Sequence, residues 1–392
     1  MITLMAGAHA DEPVGPLNLY CLLRALSQNN AKLCTKQRLQ VSVFHINEKL
    51  TVANPQLNSD EFIDLMLDLK FWLCQSIPES FIDKQVEAWQ DDFLLNDIHE
   101  IHLCLAPHIN PLGALKNRVW WSEYCNHQLM NEDSFKDSWE SLSPLSIYLQ
   151  ERVRELPGQD IEFGFSLKNE NNIRKEPWEL SQFWEKKVVQ DSSNSKINFH
   201  LSLHGMGFSA GPWFLVEKEW NTLNRLEKLK VNLTRSVLDS GYKLHDMERL
   251  GEKGFWRLDK GFCSRPDSAS MKQYFIDLGD QDMANKFQLS SMEYRRTTQV
   301  EDIYTAVSEM PLYTLAGVGD ILGPPDMKAE FFKLKISEWS LEMSMVLAKD
   351  KLKLCQSIAK EAWEEGIRVM PLADQLKFQR DLFIESYLLH CK

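Results

Sequence analysis

The chain lacks several things at once: a C-x-x-C cysteine pair, a surplus of basic residues, an apolar run approaching the ~18 residues of a membrane-crossing helix, internal repeats and low-complexity segments. Each absence removes a class of function. The eight cysteines are scattered, and several, such as Cys104 in IHLCLAP, sit inside apolar runs. They read as reduced, buried thiols rather than a disulfide framework or a cysteine zinc site. Lys and Arg number 44 against 56 Asp and Glu, a net charge of −12. With no cationic surplus to release counterions, nucleic acid and anionic membrane are excluded as main partners. Basic pairs such as Lys186-Lys187 and Arg295-Arg296 read as solvated surface. No charged segment followed by an apolar one opens the chain, so the expected compartment is the cytoplasm.

What is present is an ordinary globular composition, 44% hydrophobic and 26% charged over 392 residues, enough for one large domain or two smaller ones. Residues 2–7 read as a buried strand. Leu19, Leu22, Leu23 and Leu26 recur at helical spacing, so 14–28 reads as an amphipathic helix with Pro near its start. Residues 39–46 are strand-like, 61–77 helical, and 98–113 a strand leading into a turn. A helix over 175–190, a strand over 196–205, a long helix over about 215–240 and a strand over 303–311, stopped by Pro311, follow. From Asp326 the pattern is almost wholly helical. Strands alternating with helices predict an α/β fold with a mixed, mostly parallel central sheet flanked by helices. The Gly-Pro stretch 317–326 is the one plausible seam, dividing a main domain over 1–325 from a helical C-terminal extension over 326–392 that packs on it.

In open α/β sheets, sites form in crevices beyond the carboxyl ends of strands. The chemically loaded stretches lie at such ends: His9 and Glu12 after the first strand, Asn110 and Arg118 after the third, His204 after the fourth, Glu309 on the fifth. On one turn, a histidine and a glutamate three apart can reach the same ion, with a third ligand from a distant strand end. His204 in HLSLHGMG is that candidate, its flanking glycines allowing close backbone approach. His200 shares its face but lies deeper in the apolar run and reads as a core histidine; His99 and His102 read as locally bonded strand residues.

The set AGAHADEPVG, HINPLGALKNR, LPGQDIEFGF, SLHGMG and SEMPLY, in that order, resembles the zinc carboxypeptidase (metallocarboxypeptidase) family. The resemblance runs from about residue 4 to about 313; an insertion over about 47–97 and the tail from about 326 have no counterpart in it. It implies a zinc-dependent hydrolase that cleaves a peptide or small amide, with one Zn²⁺ per chain. His9, Glu12 and His204 stand where the family has its zinc ligands and Glu309 where it has its general base. Arg118 stands near the cation that polarises the scissile carbonyl, although a small slip would bring Trp121 there instead. Asn110, Glu162, Phe163 and Tyr294 are the substrate-side candidates.

The departures define the expected specificity. Leu112 replaces the Asp of the family's turn, and Glu162-Phe163 replaces the Asn-Arg pair that grips a terminal carboxylate. A guanidinium fork holds a carboxylate in two parallel bonds, which neither residue can do. The expectation is therefore a specialised peptidase or other amide hydrolase. Two alternatives stand beside it. One is a zinc-dependent de-N-acetylase, whose motif follows the first strand as AHADEPVG does here. The other is a catalytically inactive binding relative, because the family's sheet has two strands and a helix before its histidine motif. Either that edge is trimmed, or insertions supply it, or further chain lies upstream.

Overall fold

The computed structural model describes residues 1–29, 39–46, 52–53, 59–94, 101–129, 138–167, 174–190, 198–219, 224–298, 303–323 and 326–391. Of the expected insertion, 47–51, 54–58 and 95–97 lie outside these residues, as do His99 and the Pro-Pro pair of the expected seam.

The sheet has ten strands: β1 (Ile2–Ala6), β2 (Leu39–Phe44), β3 (Val52–Ala53), β4 (Ile101–Ala106), β5 (Phe199–Ser209), β6 (Trp213–Val216), β7 (Arg257–Asp259), β8 (Phe262–Ser264), β9 (Tyr304–Leu315) and β10 (Ile367–Val369). Their order is β3-β2-β4-β1-β5-β9-β6-β8-β7, with β10 also on β9. The core β2-β4-β1-β5-β9 is parallel throughout. Antiparallel pairs flank it, β3 at one edge and β6, β7 and β10 towards the other. The sheet is thus mixed: parallel through its centre, with one further parallel pair, β6 and β8, beyond the antiparallel β9-β6 pairing. All five β1 residues are buried, as a parallel strand covered on both faces requires.

Helices cover the sheet: α1 (Val14–Gln28), α2 (Asp60–Leu73), α3 (Glu79–Trp89), α4 (Pro111–Leu129), α5 (Leu145–Glu151), α6 (Lys175–Gln190), α7 (Asn224–Asp239), α8 (Ser268–Asp277), α9 (Gln281–Ala284), α10 (Ser291–Thr297), α11 (Met327–Met345), α12 (Lys351–Glu364) and α13 (Leu372–Cys391). None of them is long and apolar enough to cross a membrane.

Several sequence expectations shift. The helix expected from 215 begins at 224, and the WFLV before it is β6, a strand too short to show a period. Pro311 does not stop β9. It falls in the gap between the β6 partners, which end at Glu309, and the β10 partners, which begin at Tyr313, so no ladder on that side needs its missing N–H. The segment after 326 is more than helical, because β10 joins the central sheet. The two basic pairs are not wholly surface: Lys187 is 2% exposed and Arg295 is wholly buried, whereas the Arg296 side chain is 38% exposed and bonds Glu217.

Two features fix where a site can form. β1 stops at Ala6, opposite Leu203, while β5 and β9 run on past it. The chain beyond β1 therefore folds over the exposed ends of its neighbours. Then α1 seats directly on β5: a Cβ at Gly15 would lie 2.3 Å from the Leu203 carbonyl oxygen, so only glycine allows this approach.

Candidate metal site

Gly7, in the left-handed region at φ 72°, turns the chain out of β1. A turn then follows in which the Glu12 N–H donates to the His9 carbonyl at 3.4 Å, bringing both side chains to one side. Across from them, His204 points from β5, and its strand partner on β9 is Glu309. Ligand atoms of His9, Glu12 and His204 all lie within 4.8 Å of one another, a possible metal-binding triad. The two imidazole rings meet edge-on, 5.0 Å apart.

Glu12 and His204 are held by further groups. Glu12 Oε2 accepts from His204 Nδ1 at 2.9 Å and from the Gly205 N–H at 3.2 Å. Its Oε1 accepts from Arg154 at 2.8 Å. His204 Nε2 faces Glu162 Oε2 at 3.3 Å and Ser202 Oγ at 2.8 Å. Glu162 Oε1 in turn accepts the N–H and hydroxyl of Ser291, at 3.1 and 2.7 Å. The Gln379 amide of α13 donates to the His204 carbonyl at 2.9 Å.

The electrostatics follow from burial and these neighbours. Burial and the Arg154 cation hold the His9 imidazole well below its ordinary pKa, so it is neutral. Burial alone would lower His204 too, but Glu12 and then Glu162 reverse this and hold it well above. Burial would raise Glu12, yet His9, Arg154 and His204 together keep it ionised far below the usual carboxylate range. Glu309, partly exposed, is pushed up to about 8 by desolvation and by the charges of Glu12 and Glu162, against the pull of His204 and Arg154.

Arg154 is the cation at this site, and the sequence pattern did not single it out. It also bonds the buried Asp11 at 3.0 Å. Arg118 points elsewhere: its guanidinium lies 5.2 Å over the Phe71 ring of α2. The cause is helical phase. On α4, Gly113 and Asn117 face inward, and the residue after Asn117, about 100° further round, faces out. A Cβ at Gly113 would lie 2.6 Å from that of Ala10. Asn117 is a second residue the sequence did not flag. Its Nδ2 donates to the carbonyls of Ala10 and Val153 at 2.9 and 2.8 Å, and its Oδ1 accepts the Val153 N–H at 2.8 Å. It thus ties the His9 turn to the segment carrying Arg154.

Asn110 has a similar role. It accepts the Gly113 N–H at 3.0 Å and donates to Glu155, which also accepts the Ala10 N–H at 3.1 Å. Of the other substrate-side candidates, Glu162 is at the triad as the support of His204. Phe163 is buried with its ring 5.3 Å from Phe287. Tyr294 is buried beside Phe165 and Trp184, its hydroxyl donating to Glu185. His200 is a satisfied core histidine, bonded to Thr3 and Ser291, as its apolar run suggests.

A cavity of about 590 Å³ lined by Glu217, Arg265, Trp256 and Glu293 contains none of the triad. It opens beyond Val216 and Ser264, at the carboxyl ends of β6 and β8. Because β6 runs against β9, those ends lie on the opposite side of the sheet from the triad.

The triad fits a divalent ion on its own chemistry. Two imidazoles and one carboxylate are a donor set suited to borderline cations. His9 Nδ1, buried, has no hydrogen-bond partner among the described residues, which is unusual for such an atom. His204 presents Nδ1 towards Glu12 while its other nitrogen meets a carboxylate, the outer support typical of ligating histidines. No known protein family matches the chain, and neither a curated protein nor a solved structure was found similar to it.

Proposed function

We propose that this chain is a zinc-dependent hydrolase of a peptide or other amide bond, resembling the metallocarboxypeptidases in its site. The observation that carries the reading is the convergence of His9, Glu12 and His204 within 4.8 Å, with Glu309 and Arg154 beside them. Zinc, when bound, supplies Lewis acidity towards a carbonyl oxygen. The chain's own groups supply the rest. Glu309 takes a proton from the attacking water as its oxygen bonds the carbonyl carbon. It returns that proton to the nitrogen as the C–N bond breaks. Its raised pKa lets Glu309 hold the proton between these steps, while the first step needs its ionised form, which Arg154 and a bound cation would favour. Arg154, already charged and fixed by Asp11 and Glu12, is the cation that would face negative charge developing on oxygen.

The lack of a guanidinium at Phe163 supports a substrate other than one gripped by its terminal carboxylate. A second reading, an inactive binding protein, is favoured by one observation: both Glu12 oxygens are already paired, with Arg154 and with His204.

Metal analysis separates the two. The hydrolase reading expects close to one zinc per chain, lost in His204→Ala, and a Glu309→Gln protein that keeps zinc but loses about 10²–10⁴-fold in turnover. A well-folded chain that takes up no metal would sink it, and unchanged turnover would remove Glu309 from the chemistry.

A further inference from the structure

Arg295, on α10, has no exposed surface. Its guanidinium lies 5.5 Å from the centre of the Trp184 ring, beside an apolar cluster that includes Phe165, Phe183 and Tyr294. None of its three nitrogens finds an acceptor among the described residues. The indole N–H of Trp184, also buried, has none either. The carboxylates nearby are committed elsewhere: Glu185 to the Tyr294 hydroxyl, Glu162 to Ser291 and His204. Burial brings the Arg295 pKa down only to about 10, so the group stays a cation at neutral pH.

Two adjacent buried side chains that can only donate, one of them charged, are strongly destabilising unless an acceptor meets them. We propose that Arg295 and Trp184 form an internal site for a small monovalent anion of the halide class. Phe165, Trp184 and Tyr294 are all buried in one apolar cluster, which suits a compact, weakly hydrated ion rather than the end of a larger molecule. Charge balance comes from Arg295 and directionality from the indole N–H. The site is separate from the metal triad and does not depend on it. Ser291, at the start of α10, bonds both His200 and Glu162, so an ion that settles Arg295 also steadies the helix supporting His204.

The test has two arms on the intact, metal-free chain. Crystals grown in sodium bromide should show anomalous bromine density within hydrogen-bonding reach of the Arg295 guanidinium. Thermal unfolding in sodium bromide should show a saturating rise in Tm over sodium sulfate at equal ionic strength. That rise should vanish in Arg295→Met and weaken in Trp184→Phe, which keeps a ring and loses the N–H. Arg295→Met should be at least as stable as the parent at low salt, since it removes an uncompensated charge. Absence of bromine density, or an identical bromide response in parent and Trp184→Phe, would overturn the proposal. If Arg295→Met does not fold, those two results still decide it.

Discussion

Glu162→Gln is the sharpest probe of the triad, because it changes one atom and redirects a proton. The Ser291 N–H can only donate, so the glutamine must keep its carbonyl oxygen there. Its amide NH₂ then faces His204 Nε2, where Glu162 Oε2 stood 3.3 Å away. That nitrogen must become an acceptor, which leaves the ring's one proton on Nδ1, the nitrogen that donates to Glu12 on the ligand side. Metal binding then has to reverse the tautomer and break the new bond. Loss of such an outer partner costs about 10–100-fold in metal affinity, roughly 1.4–2.7 kcal/mol. Competition titration with a chromogenic zinc chelator measures it, with circular dichroism to confirm the fold and nitrogen NMR of His204 to report the tautomer. Parent-like affinity together with an unchanged Nε2–H signal would refute the assigned role of Glu162.

Three further outcomes are expected. Arg154→Met removes the cation from Glu12 and leaves Asp11 only Arg152, 3.7 Å away, both carboxylates being 4% exposed; because the guanidinium side chain is itself 36% exposed, the cost is discounted to about 2 kcal/mol, read by urea unfolding. Gly15→Ala drives a methyl into the Leu203 carbonyl, an unyielding backbone atom, and should cost about 2–3 kcal/mol and weaken metal binding together; an unchanged Tm would contradict the seating of α1. The pH dependences of stability and metal binding should oppose each other. In the metal-free chain His204 has a raised pKa, so its contribution is full below about 6.5 and is lost as pH rises through the folded value. Metal must displace that same proton, so affinity should climb about tenfold per pH unit below the folded pKa of His204. Parallel slopes in calorimetry at several pH values would show that His204 is not a ligand.

The residues of the triad are legible because His9 and Glu12 follow directly on the apolar strand β1 and His204 lies in the apolar run of β5, the easiest kind of element to read. His204 and its partner Glu309 lie inside their strands rather than beyond the ends. Arg154 is not legible, because 152–160 is irregular and carries no period against which an inward residue stands out. Arg118 was attractive because it follows the turn closely. Only the phase of α4, which begins at Pro111, shows that Asn117 turns in and Arg118 turns out. Short strands such as β6 and β10 escape notice for the same reason, being only four and three residues long. Arg295 escapes a sequence reading because a basic pair resembles surface in any window, and only the packing of α10 against Trp184 separates its two members.

The parallel core also dictates when this site can exist. Ile2 pairs with Phe199, His204 with Glu309, and the His204 carbonyl with Gln379. The triad cannot assemble until residues some 200 positions apart are both available, and its last support comes nearly 180 positions later still. At ~5–20 residues per second of synthesis, β1 precedes its β5 partner by roughly 10–40 s, with an apolar strand unpaired on that side. Such high contact order predicts slow folding and a window in which β1 needs shielding. The moment at which the candidate metal site is complete is then set by the arrival of β5 and α13 rather than by the histidine turn made long before them.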